Sequence, residues 1–241
     1  MQAVRGAAGR VARMRVPPCL ENVLDAAAVI FDLDGTLVDS AADIAEAVNL
    51  TLADHGLPRV DEARVRSWIG DGVGNLVRTA LADAGSTLAV DEVLPGFMVH
   101  YRQCLLRSPA LYPGVVPALQ ALRERGVPLS ICTNKPSAML PPLLGHLQID
   151  TFFDVVIGGD SLPERKPSAA PLLHLCKHFD VAPAQCLMVG DSATDLGAAR
   201  AAGVPIALVR YGYPRDLDLE QAGAVALVDD LRELFGGDLA A

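Results

Sequence analysis

Short apolar runs bounded by Gly, Asp or Pro recur along this chain, at residues 28–33, 127–132, 154–157, 186–189, 206–209 and 224–228, with amphipathic stretches between them. That alternation predicts an α/β fold, a parallel sheet flanked by helices. From the second run onward, each follows the one before at a spacing that suits a βα unit. More than ninety residues separate the first run from the second, so an insertion is expected there. Residues 41–55, 61–68, 73–84 and 91–106 read as helical, punctuated by Pro58, Gly70, Gly72, Gly74 and Pro95. The reading therefore places a small helical domain at residues 41–111, entered near Ser40 and left near Pro113 and Gly114. The α/β core would take residues 26–40 and 112–241.

Composition narrows the function. With 241 residues and 51% apolar side chains, the chain can bury a sizeable core. Its net charge of -9 repels nucleic-acid phosphates, and its Lys and Arg residues form no long run beyond the N-terminal stretch, so no nucleic acid is expected as a partner. An acidic protein can still act on an anion where a metal or a cluster of donors reverses the local field. Cys19, Cys104, Cys132, Cys176 and Cys186 are odd in number and lack a C-x-x-C pair, which suggests neither a disulfide framework nor a zinc site. A reducing, cytoplasmic setting fits. No run approaches eighteen consecutive apolar residues, so no membrane span is expected. Arg5, Arg10, Arg13 and Arg15, with no acid before Glu21, loosely resemble a transit peptide. A disordered extension over residues 1–25, or a true start at Met14, is the plainer reading.

Four clusters carry chemistry. The first apolar run leads into Asp32-Leu33-Asp34-Gly35-Thr36. Side chains at i and i+2 of an extended segment project to one side, so both carboxylates can face one pocket. One kept ionised beside a metal and the other partly protonated would offer a nucleophile and a general acid, although Asp-Gly also marks hairpin turns. The second run ends in Thr133-Asn134-Lys135-Pro136, where a hydroxyl and the following N–H groups can cradle a phosphate or simply cap a helix. After the third run comes Lys166, one of only three lysines, an ammonium able to balance carboxylates and a phosphoryl group, or merely solvated. After the fourth, Asp191 and Asp195 stand at i and i+4, as hard oxygen ligands for magnesium or as acids opening a helix. All four clusters follow a predicted strand at its C-terminal end and so converge on one sheet edge, the edge where open parallel sheets bind ligands.

These segments resemble the four motifs of the haloacid dehalogenase superfamily, D-x-D-G-T, T/S, K and G-D-x-x-x-D, over roughly residues 27–230. F-D-L-D-G-T-L-V-D-S, residues 65–81, P-E-R-K-P at 163–167 and R-Y-G-Y at 210–213 most resemble the phosphoglycolate phosphatases within it. The resemblance implies a Rossmann-like parallel sheet with helices on both faces, plus a mobile helical C1 cap. It implies Mg²⁺-dependent hydrolysis of a small phosphate monoester, 2-phosphoglycolate to glycolate and phosphate, through an aspartyl phosphate. Asp32 would be the nucleophile and Asp34 the acid and then the base. Asp32, the backbone carbonyl of Asp34, and Asp191 would bind Mg²⁺, with Asp195 a ligand or a support behind the ligands. Thr133 and Asn134 would grip phosphate oxygens, and Lys166 would offset developing charge. Gly35, Thr36, Gly72 and Arg78 complete the expected substrate contacts.

In the cap, the glycines of Gly70-Asp71-Gly72-Val73-Gly74 would let a loop lie close over the site. A carboxylated substrate needs a cationic or N–H partner there, for which Arg64, Arg66 and Arg78 are candidates. Another phosphatase or a β-phosphoglucomutase-like mutase shares the fold, whereas Asp34 and Thr36 speak against a dehalogenase. A non-catalytic binding module is opposed by intact Asp32, Asp34, Lys166 and Asp191. No G-x-x-x-x-G-K-[ST] occurs, no cysteine has Arg six residues on, and Leu175 between His174 and His178 breaks H-E-x-x-H. Both monomer and homodimer remain open.

Overall fold

The computed structural model describes residues 25–236; the expectations for the N-terminal extension fall outside the described residues. Strands β1 (Ala28–Phe31), β2 (Val38–Asp39), β3 (Ala110–Leu111), β4 (Leu129–Cys132), β5 (Val155–Ile157), β6 (Cys186–Gly190), β7 (Ile206–Val209) and β8 (Ala226–Val228) make two sheets. The larger one has the order β5-β4-β1-β6-β7-β8 and is parallel throughout. Each of its strands falls within, or one residue beyond, an apolar run read from the sequence.

Strand β1 is wholly apolar because both of its faces are covered. Val29 and Phe31 enter one hydrophobic cluster, Ala28 and Ile30 the other. Phe31 packs edge-on against Phe153 and Phe235, with ring centroids 6.3 and 6.1 Å away. The helices α5 (Val115–Glu124), α6 (Leu140–His146), α7 (Ala170–His178), α8 (Ala193–Ala202) and α9 (Arg232–Phe235) follow or link these strands. Register sets up the site: Phe31 lies level with Ile131 on one side and Val189 on the other, so Asp32, Thr133 and Asp191 emerge together. Here the chain, after building outward to β5, crosses back to the far side of β1, which is where such sheets open a crevice.

Between β2 and β3 lie α1 (Ala41–Asp54), α2 (Glu62–Arg66), α3 (Val73–Asp83) and α4 (Val90–Cys104), with α1 packed against α2, α3 and α4. The outgoing and returning segments pair antiparallel, Val38 with Leu111 and Asp39 with Ala110. That pair is absent from the sequence reading because two residues carry no period.

Candidate active site

Three carboxylates stand at the level edge. Oxygens of Asp32, Asp191 and Asp195 all lie within 4.8 Å of one another, and all three residues are buried. Lys166 Nζ sits 2.7 Å from Asp32 Oδ1 and 2.6 Å from Asp195 Oδ1. One ammonium cannot balance three carboxylates. Burial, then repulsion from Asp195, pushes the Asp32 carboxyl up to about 7 despite the opposing pull of Lys166. Burial and the charges of Asp195 and Asp32 likewise raise Asp191 well above the usual carboxylate range. A dry set of hard oxygen donors with surplus negative charge fits a divalent cation.

The surroundings divide the three. Asp195 Oδ1 is taken by Lys166, and Oδ2 accepts from the N–H groups of Asp191 and Ser192 and from Ser192 Oγ. Ser192 and Asp195 form the capping box of α8, so the helix start fixes this carboxylate rigidly. Asp191 accepts from Thr36 Oγ1 at 2.7 Å and from the Tyr213 N–H at 2.6 Å. A Cβ on Gly35, whose φ is +91°, would fall 2.3 Å from Asp191 Oδ2, so only glycine admits the carboxylate this close.

Asp34 faces another environment. Its Oδ1 accepts from Ser40 Oγ at 2.6 Å and from Lys135 Nζ at 2.8 Å. Lys135 also donates to the Tyr101 hydroxyl, with its Nζ 5.0 Å from the centroid of that ring. Burial opposes the charge on Lys135, but Asp34 and Tyr101 more than offset it, and its pKa rises. Burial pushes the Tyr101 hydroxyl up to about 12. Thr133 Oγ1 accepts from the Lys135 N–H, and the Asn134 side chain donates to Gly70 O and Lys166 O, each at 2.9 Å. No acceptor within the described residues takes the Asn134 backbone N–H.

Asp32, Asp34, Thr133, Asn134 and Lys135 line a cavity of about 40 Å³ whose roof comes from the insertion, through Ile44, Ile69, Gly70, Gly72, Leu76 and Tyr101. The roof is fastened to the core. Asp71 accepts from Thr194 Oγ1 at 2.6 Å and pairs with Arg215 at 2.6 Å. Nearer the β2–β3 pair, Arg66 reaches Asp39, and Tyr213 donates its hydroxyl to Asp39 while accepting from the Ser40 N–H. Tyr211 anchors the same loop by donating to Thr36 O.

Most of the expected residues thus meet. Gly72 lines the cavity, while Gly35 and Thr36 border Asp191 instead. The expectation for Arg78 is corrected: α3 buries Leu76, Val77, Ala80 and Leu81, which turns Arg78 to the exposed side, where it donates to Asn75. Arg64 pairs with Asp83, and Arg66 with Asp39 and Glu62. The sequence reading missed Lys135, Tyr101, Asp71 and Arg215. For Lys135 there was a signal, a rare lysine two residues past a hydroxyl at a strand's C-terminal end; for the others there was none.

A family model described as haloacid dehalogenase-like hydrolase matches residues 29–209. A protein of Cupriavidus necator named phosphoglycolate phosphatase, plasmid, is 46% identical over 213 residues, which are 88% of this chain and 92% of that protein. A phosphoglycolate phosphatase of Rhodospirillum rubrum is 44% identical over 215 residues, 86% of this chain and 88% of its own. The crystal structure of a protein from Haemophilus somnus described as a predicted phosphoglycolate phosphatase superposes with a TM-score of 0.82 at 37% identity, covering 87% of this chain and 96% of that one.

Proposed function

We propose that this chain, which belongs to the haloacid dehalogenase-like hydrolases, is a phosphatase that cleaves 2-phosphoglycolate to glycolate and inorganic phosphate. One observation carries the reading. Asp32 and Asp34 line one narrow, half-open cavity of about 40 Å³, room for only a few water-sized groups, which suits a short ester better than a sugar ring.

In this reading an Asp32 oxygen attacks phosphorus while Asp34 gives its proton to the departing glycolate oxygen, leaving an aspartyl phosphate. Asp34 then takes a proton from water, the oxygen attacks the same phosphorus, and phosphate leaves with Asp32 restored. Lys166 orients Asp32 and offsets charge on the transferring group. The Thr133 hydroxyl and the Asn134 N–H hold phosphate oxygens. Asp32, Asp191 and the main-chain carbonyl of Asp34 would hold Mg²⁺, which when bound lowers the repulsion between an anionic attacker and a dianionic ester. Asp195, with its lone pairs committed, supports Lys166 and the α8 start from behind. The helices of residues 41–111 act as a cap that excludes water, and Gly72, with φ +87°, starts α3 over the site. No helix among the described residues is long and apolar enough to cross a membrane, and the four described cysteines are free thiols, which supports a cytoplasmic setting.

The test is phosphate release with Mg²⁺ from 2-phosphoglycolate, hexose phosphates and nucleotides. Faster turnover of a hexose phosphate than of 2-phosphoglycolate overturns the substrate. Asp32→Asn is expected to abolish turnover with an unchanged circular dichroism spectrum; retained activity in a contamination-free preparation removes Asp32 as nucleophile.

A further inference from the structure

We infer that Lys135 of the core and Tyr101 of the insertion together form a receptor for a carboxylate on the leaving group of the substrate; the inference rests on the phosphatase reading above and names what selects the ester. Lys135 is the one cationic side chain among the described residues lining the cavity, and its side chain is only 1% exposed. An ammonium withdrawn from water to this degree needs anionic partners and donors fully used. Of its three N–H groups, Asp34 and Tyr101 take two. The third has no protein acceptor among the described residues. The Tyr101 hydroxyl accepts from Lys135, and its own proton likewise meets no protein acceptor there. Two unspent donors, one charged, therefore border the same small cavity, and a carboxylate with two acceptor oxygens matches them.

Position sets the length of the ligand. Lys135 Nζ lies 2.8 Å from Asp34 Oδ1, on the carboxyl group that in this reading serves the leaving group. An anion reaching Lys135 must hence sit within a bond or two of the carbon bearing the ester oxygen, as in phosphate esters of short 2-hydroxy acids. The side chains of Ile44, Ile69 and Leu76 in the roof offer sugar hydroxyls nothing to bond. Because Tyr101 lies on α4 and Lys135 on the loop after β4, the receptor is complete only with the insertion seated, so the carboxylate itself favours closure. Arg64, Arg66 and Arg78, the cations suggested by sequence, all have partners away from the cavity.

The experiment compares kcat/KM with Mg²⁺ for 2-phosphoglycolate and for 2-hydroxyethyl phosphate, which carries a neutral alcohol in place of the carboxylate. Lys135→Met is expected to lower the ratio of the two by about 10- to 150-fold, the range for a hydrogen bond to a charged group, chiefly through KM for the acid. Tyr101→Phe, which keeps the ring in the core, is expected to lower it by about 3- to 10-fold. Equal losses on both esters in Lys135→Met would mean that Lys135 acts only by positioning Asp34, and would overturn the receptor. An unchanged ratio in Tyr101→Phe overturns the share given to the hydroxyl, and this variant stands as the test if Lys135→Met does not fold. The ratio is scored whichever ester the wild type turns over fastest. A wild type that prefers hexose phosphates therefore defeats the substrate reading alone, while a ratio unmoved by Lys135→Met defeats the receptor alone.

Discussion

Stripped of divalent metal, the protein is expected to lose stability as the pH rises from 5.5 to 8. The Asp32 carboxyl has an ordinary value of 3.8, which the unfolded chain regains, and about 7 in the folded protein. Between those values the folded state keeps a proton that the unfolded state has released. Each pH unit in that window therefore lowers the free energy of unfolding by about 1.4 kcal/mol. From pH 5.5 to 7 the loss from Asp32 is about 2 kcal/mol, after which it levels off; Asp191, raised for the same reason, adds to it in the same direction. Asp39, Asp71, Asp154, Asp160 and Asp230, whose values are lowered, are ionised in both states across this range and contribute no slope. At pH 8 Mg²⁺ would meet an already ionised cluster, whereas at pH 5.5 it must displace protons, so its stabilisation is larger at pH 8. About 2 kcal/mol corresponds to roughly 4–8 °C in Tm for a chain of this size. Urea or thermal melts in EDTA and in excess Mg²⁺ at the two pH values read both effects. Equal or greater stability at pH 8 in EDTA, or a gain from Mg²⁺ that ignores pH, refutes the electrostatic account of the cluster.

Two further outcomes follow from single contacts. Gly35→Ala forces a methyl to 2.3 Å from Asp191 Oδ2 at a φ of +91°, and is expected to reduce turnover at least about 100-fold and to cost about 1–3 kcal/mol of stability, read by kinetics and melts; wild-type values in both would show that Asp191 can move aside. Arg215→Ala removes the guanidinium that holds Asp71 and is expected to raise KM several-fold and to speed limited proteolysis of the insertion, with the swap Asp71→Arg/Arg215→Asp recovering part of both. If KM and cleavage stay as in the wild type, the pair does not fasten the roof.

The sheet and the carboxylates were legible for one physical reason. A strand buried on both faces must be apolar throughout, and the residues just past its C-terminal end fall at the crevice by register, so Asp32, Thr133 and Asp191 announce their place by offset alone. Lys166 was found through its neighbours rather than through any local pattern. Tyr101 could not be found this way. It continues the stripe Val93, Phe97, Tyr101 at helical spacing and is buried like its neighbours, and a helical period gives no hint that one hydroxyl tip reaches a lysine 34 residues on. Asp71 and Arg215 lie 144 residues apart, and their pairing depends on how the insertion settles on the core, which no local spacing encodes. The arginines proposed to meet a carboxylate were read as free cations; folding gave Arg64 and Arg66 acidic partners and Arg78 the Asn75 amide oxygen, all away from the cavity.

The pairing of β2 with β3 has a mechanical corollary. Because the two connections are stitched together, the insertion joins the core at one paired seam rather than through two separate tethers. Helices within it can lengthen, shorten or change their inner face without pulling on the strands that carry Asp32 and Asp191. In the proposed reading, the breaking of the phosphate bond and the choice of which ester to break are thereby housed in parts of the polypeptide that can drift apart in sequence, joined at a seam two residues wide.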